Sequence, residues 1–151
     1  MTPPLATIGY EGATVPALLA ALTAAGVELV ADVRAVTSSR RPGFSKNRLA
    51  ENLSTVGIGY VHLRGLGTPA EGRAAARAGK FDELRAIFGE HMETLAAQAD
   101  LEALADLVRA GRRVCLLCYE HDPAHCHRTM VADALQPLVS TTVHHLSPGR
   151  D

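Results

Sequence analysis

The sequence predicts an α/β fold, three layers deep, with a central, mostly parallel sheet of about five strands. Three observations lead there. Short apolar runs alternate with longer helical patterns, as in crossover units that build a parallel sheet. Hydrophobic residues make up 47% of the chain, yet aromatics only 4% with no Trp, so the core must be assembled from Ala, Val and Leu. A length of 151 residues suits one domain and is short for two, so residues 1–151 are read as a single domain.

Leu5 to Ile8 reads as a short first strand closed by Gly9. Thr14 then caps a helix with Pro16 in its first turn; Leu18, Leu19 and Leu22 fall on one face, and Gly26 ends it. Val27 to Val33, a near-continuous apolar run, suits a strand covered on both faces, which singles out Asp32 near its carboxyl end. Arg34 to Phe44 is loop-like, and Ser45 is placed to cap a helix from Lys46 to Val56. Gly59 to Leu63 is the third strand. The connection from Arg64 to Lys80 has little periodicity and reads as a loop or lid. Helices are expected over Phe81 to Met92 and Leu95 to Ala110, a buried strand over Val114 to Cys118, a helix within Asp122 to Leu138, and a last strand over Thr142 to Leu146.

No apolar run approaches the roughly 18 residues of a bilayer span, and MTPPLATIGY has neither the basic start nor the apolar stretch of a signal peptide. The expected location is the cytoplasm, with no membrane partner. Three Cys, an odd number without an export signal, argue against a disulfide framework and for reduced thiols. The net charge of −1 conceals an asymmetry: residues 34 to 85 carry ten Lys/Arg against four Asp/Glu. Such a basic middle attracts phosphate groups, nucleotides or nucleic acid, although uneven surface charge alone also produces it.

In an open parallel sheet, ligands bind beyond the carboxyl ends of strands. The strand reading brings Gly9-Tyr10-Glu11, Asp32-Val33-Arg34, His62 and Cys118-Tyr119-Glu120 to one such edge. The densest chemistry lies in CYEHDPAHCHR, Cys118 to Arg128, with two thiols, three imidazoles, two carboxylates and a guanidinium. Asp122 followed by Pro123 looks like an N-cap and first helical residue, which places Cys126 in or just beyond the first turn, where N–H groups favour a thiolate. Three readings stay open. Cys118 and Cys126 are nucleophilic or redox thiols, with His127 or His125 as base and Glu120 as orienter or acid. Alternatively Cys118, Cys126 and His127 bind a transition metal, although paired C-x-x-C knuckles are missing. In the structural reading Cys118 is a core residue and the His and Arg cap a helix.

Cys115 falls inside an apolar strand and is read as core. His144 and His145, adjacent on the last strand, must face opposite ways. In the other segment, Asp32 and Arg34 share a strand face, while Arg40, Arg41 and Lys46 surround the turn Pro42-Gly43, as an anion pocket would. The alternative is an ion pair from Asp32 to Arg34 or Arg40 that orders the loop. Tyr10, Tyr60 and Phe44 could stack on a base or ring, or simply anchor loops.

The run TIGYEG, LVADVRAVTSSRRPGFS, GIGYVHLRGLG, HMET and LLCYEHDPAHCHR resembles, in this order and over nearly the whole chain, the bacterial and archaeal family called domain of unknown function 488. The resemblance implies a compact α/β domain in which Asp32, Arg34, Arg40, Phe44, Ser45, Cys118, Glu120, Cys126, His127 and Arg128 occupy motif positions; it supplies no reaction. Glu11 stands where many relatives have Ser, and Arg64 to Lys80 departs most from the pattern. A weaker similarity is to rhodanese sulfurtransferases, which share an Asp-Val-Arg strand end and a Cys at a strand end. Nine residues separate Cys118 from Arg128, longer than the short anion cradle of that group.

The preferred reading is an enzyme, a Cys- or acid/base-dependent hydrolase or transferase, acting on an anionic substrate that bears phosphate and is a small molecule, nucleotide or nucleic acid. Cys118, Glu120, Cys126, His127 and Asp32 are the candidate catalytic residues; Tyr10, Arg34, Arg40, Phe44, Ser45, His62 and Arg128 the candidate substrate-binding ones. No cofactor is expected, with a bound transition metal as the alternative. A non-catalytic nucleic-acid-binding module and a metal-binding regulatory protein are the rival functions. A homodimer is compatible with a domain of this size, though no residue pattern demonstrates it.

Overall fold

Five strands form one all-parallel sheet: β1 (Leu5–Gly9), β2 (Leu29–Asp32), β3 (Gly59–His62), β4 (Val114–Cys118) and β5 (Val143–Leu146). They lie in the order β3-β2-β4-β1-β5 in the computed structural model, which describes residues 2–149. Among the described residues six α-helices connect them: α1 (Val15–Ala24), α2 (Lys46–Ser54), α3 (Ala70–Arg77), α4 (Phe81–His91), α5 (Leu95–Arg109) and α6 (His127–Leu135). Among the described residues no helix is long and apolar enough to cross a membrane.

Strand alternation divides the core between two faces. Ala6, Ile8, Val30, Cys115 and Leu117 pack with Leu18 and Leu22 of α1 and Leu49 and Leu53 of α2. Leu5, Leu29, Ala31, Val114, Leu116 and Cys118 point the other way, onto Phe88 of α4, Leu101 and Leu104 of α5, and Val131 and Leu135 of α6. Three layers result, as the composition predicts. Thr14 caps α1 as expected, its Oγ1 accepting from the Ala17 N–H at 3.2 Å. Ser45 precedes α2 without a side-chain capping bond; its hydroxyl instead accepts from the Ser39 N–H at 2.9 Å and braces the preceding loop.

One sequence expectation is corrected and another is borne out. Arg64 to Lys80, read as an irregular loop, contains a 3₁₀ turn at Arg64–Leu66 and the helix α3. The buried residues of α3 are Gly72 and Ala75, so the apolar stripe that marks most helices is absent from AEGRAAAR. Asp122 and Pro123 start a turn as expected, the Asp122 carboxylate accepting from the Ala124 N–H at 2.9 Å; it is a 3₁₀ turn ending at His125, which leaves Cys126 just beyond it. Cys126 is extended (φ −131°, ψ 143°) and becomes the N-cap of the separate helix α6.

The strand order fixes where a ligand fits. From β2 the chain proceeds outward to β3, and from the adjacent β4 it proceeds the opposite way, across β1 to β5. The diverging connections leave a crevice beyond the carboxyl ends of β2 and β4.

Candidate functional site

A cavity of about 540 Å³ occupies that crevice. Its floor includes Arg34 after β2, Cys118 at the end of β4 and Glu120 just beyond it; Tyr10 joins from the end of β1. Arg40 in the β2–α2 loop and Arg73 and Arg77 of α3 line its walls. His125 and His127 close the side nearest α6.

Arg34 is 6% exposed and Asp32 not at all. The guanidinium donates from Nε to both Asp32 carboxylate oxygens, at 2.9 and 3.1 Å, and from Nη2 to Oδ2 at 2.7 Å. Nη1 donates to the Tyr10 hydroxyl at 3.1 Å and to the Phe44 carbonyl at 2.8 Å. Tyr60 adds a 2.5 Å bond to Asp32 Oδ2, and His62 places Nε2 2.8 Å from the Arg34 carbonyl. Tyr10 stacks on Phe44 with ring centroids 4.6 Å apart. Burial and the bond to Asp32 both push the Tyr60 phenol upward, so it stays a neutral donor. Asp32, Phe44, Ser45, Tyr60 and His62 thus lie behind the pocket wall, where they hold the β2–α2 loop. Arg34 reaches the cavity with most of its donors already engaged.

On the other side, β4 directs Cys118 toward α6, whose N-cap is Cys126. The expectation of reduced thiols is corrected here: the two are joined sulfur to sulfur, with Cα atoms 7.4 Å apart. The alternation of β4 and the turn Pro123–His125 bring together two residues eight apart in sequence. Cys115 is free and buried, and burial raises its thiol pKa; it is core, as expected.

His127, 8% exposed, donates from Nε2 to the Val33 carbonyl at 2.7 Å. A carbonyl can only accept, so Nε2 carries the proton and Nδ1 presents a lone pair, 3.8 Å from Cys126 Sγ. Burial pushes the imidazole pKa down to about 4. In the sulfur-bonded form His127 is therefore neutral in the folded chain and titrates near 6.5 when unfolded. Below pH 6.5 the unfolded state binds the extra proton. Stability is then fully present above that pH and falls by about 3 kcal/mol as pH drops to about 4. Urea unfolding at pH 7 and pH 4 should show this loss in the wild type and a smaller one in His127→Asn; equal losses would exclude a neutral buried His127.

Arg128, the second residue of α6, is 0% exposed. Its Nε donates to Thr7 Oγ1 at 3.1 Å, Nη1 to the Glu120 carbonyl at 2.6 Å and toward Cys118 Sγ at 3.3 Å, and Nη2 to the His121 carbonyl at 3.2 Å. Among the described residues it forms no ion pair with a carboxylate. The Glu120 carboxylate lies 3.6 Å from Cys118 Sγ, and burial raises its pKa against the opposing pull of Arg128. Thr7 Oγ1 is also 2.6 Å from Nδ1 of the exposed His145. Gly9 is required beside this network, because a Cβ there would fall 1.7 Å from the Glu120 carbonyl oxygen.

Of the residues singled out in sequence, the cavity brings together Tyr10, Arg34, Arg40, Cys118, Glu120 and His127, with Cys126 and Arg128 directly beneath. Sequence reasoning missed Arg73 and Arg77. The basic excess over residues 34 to 85 contained their signal, but reading α3 as loop left them without a direction.

Residues 14–135 match the family model described as domain of unknown function DUF488. No curated protein and no solved structure matches the chain.

Proposed function

The chain belongs to the DUF488 family, and we propose that it is an enzyme acting on an anionic, phosphate-bearing substrate through a reduced Cys118. The single observation that carries this reading is Arg128. A fully buried guanidinium without a carboxylate partner carries a large desolvation cost, and its Nη1 points at Cys118 Sγ. A disulfide sulfur offers it no charge. A thiolate at Cys118 does, so the guanidinium favours the reactive form of that thiol.

Arg40, Arg73 and Arg77 are the cationic groups lining the cavity whose charges no carboxylate neutralises among the described residues. They hold the anion in this reading, while Asp32 fixes Arg34 and so the loop that carries Arg40. Cys118 Sγ forms a bond to the electrophilic centre as the leaving group departs with the proton of Glu120. Water or a second acceptor then breaks the bond to sulfur, gives its proton to the Glu120 carboxylate and so returns both the thiolate and the acid. Nδ1 of His127 faces Cys126 Sγ and accepts a hydrogen bond from the Cys126 thiol, which keeps its proton.

The test is a panel of phosphate esters and nucleotides offered to protein reduced with a dithiol. Turnover is expected to vanish in Cys118→Ser. In the double variant Arg73→Ala/Arg77→Ala, KM should rise about 10- to 100-fold, equivalent to about 1.4–2.8 kcal/mol of binding, with the urea midpoint unchanged. Full activity in Cys118→Ser would overturn the mechanism. Salt-sensitive binding of nucleic acid that neither Cys affects, with no turnover, would instead establish the non-catalytic binding module.

A further inference from the structure

We propose that in the reduced protein Cys118, Cys126 and His127 hold one thiophilic divalent cation of the zinc class, with an open coordination position facing the cavity. This rests on the preceding reading only in that both require reduced thiols.

The three donor atoms lie within 4.8 Å of one another, and all three residues are buried. Two thiolates and an imidazole are the ligand types that select zinc over hard cations. The imidazole is already set for the task. Its Nε2–H is fixed on the Val33 carbonyl at 2.7 Å, the outer bond that metal-bound histidines ordinarily make, and Nδ1 faces the sulfurs. Each sulfur has an N–H donor as well: Arg128 Nη1 at 3.3 Å from Cys118 Sγ and the Arg128 backbone N–H at 3.5 Å from Cys126 Sγ. The Cα atoms of the two cysteines stand 7.4 Å apart, beyond the roughly 4.4–6.8 Å of ordinary disulfides. Two metal–sulfur bonds of about 2.3 Å reach further than one sulfur–sulfur bond.

Three protein ligands leave a tetrahedral ion one vacant position, the pattern of reactive rather than structural sites. Cys118 and His127 line the cavity, so that position opens toward the substrate space beside Glu120. A dithiol reductant converts the sulfur bond to two thiols and is itself oxidised to its disulfide; uptake of the cation then releases two protons. Oxidation removes both thiolate ligands together. Metal-loaded and sulfur-bonded forms therefore exclude each other, and Cys118 attacks substrate only in the reduced, metal-free form.

The experiment is anaerobic titration of the full chain with Co²⁺ and then Zn²⁺, in parallel on dithiol-reduced and oxidised protein. The reduced protein should take up one Co²⁺ per chain, with a near-ultraviolet thiolate-to-cobalt band that Zn²⁺ abolishes, and the oxidised protein none. Zn²⁺ should slow alkylation of both thiols, and a chelator should restore it. His127→Gln should weaken cobalt binding at least about tenfold. Should that variant fail to fold, the comparison of oxidised with reduced wild type decides alone. No cobalt band in the reduced protein, or equal uptake after oxidation, overturns the inference. If reduced protein that takes up no metal still turns over a phosphate ester through Cys118, only the metal site is lost; metal uptake with no turnover across the panel does the reverse.

Discussion

Asp32→Asn should destabilise the protein by about 3–5 kcal/mol, the usual cost of removing one partner from a buried ion pair. Asp32 is fully buried and receives Arg34 through both Nε and Nη2, together with the Tyr60 hydroxyl. The amide keeps the shape but cannot neutralise the guanidinium, which stays tied to Tyr10 and the Phe44 carbonyl. The double variant Asp32→Asn/Arg34→Met removes both charges and should recover much of the loss, because a buried charge left alone costs more than an absent pair. Urea unfolding of both variants at pH 7 measures the difference. A single variant as stable as the double would mean that Arg34 finds another partner, and that the pair does not order the β2–α2 loop.

Arg128→Met is the second large effect, about 3 kcal/mol of destabilisation by the same measurement. Methionine fills much of the volume but leaves the carbonyls of Glu120 and His121 and the Thr7 hydroxyl without their donor. Each buried group so orphaned costs about 1–3 kcal/mol, and relief from burying a charge returns part of the sum. Reduced Cys118 should also be alkylated more slowly at neutral pH, since its nearest cation has gone. A loss below about 1 kcal/mol would show that these groups reach water or other donors.

The sheet was legible in sequence because its strands are short apolar runs bounded by Gly and polar residues, and the run through Val30 and Ala31 is buried as a covered strand demands. Strand ends located the cavity: Tyr10, Arg34, Cys118 and Glu120 line it together because all five strands point the same way. Three things stayed hidden for physical reasons. Helix α3 buries Gly72 and Ala75, residues too small to leave a hydrophobic period. The cysteine pairing depends on Cys126 turning extended between a 3₁₀ turn and α6, a local bend that no periodicity records. The partner of Arg34 was open between an ion pair and an anion; only the packed Asp32 carboxylate, with both oxygens engaged, shows that most of its donors are spoken for.

The position of β4 has a consequence for the way the chain is made. β4 lies between β1 and β2, pairing Leu116 with Thr7 on one side and Ala31 on the other, so those earlier strands have no contact as neighbours until more than a hundred residues have been synthesised. Before then, β2 and β3 can pair while β1 waits with a vacant edge. The contacts that complete the sheet are long-range and late, and folding should be correspondingly slow for a chain of this size. Cys118 ends that intervening strand and Cys126 follows it, so the two sulfurs meet only when the gap has been filled. A sulfur bond or a shared ion at this point marks the joining of the two halves of the sheet, placed where a sheet without its central strand cannot acquire it.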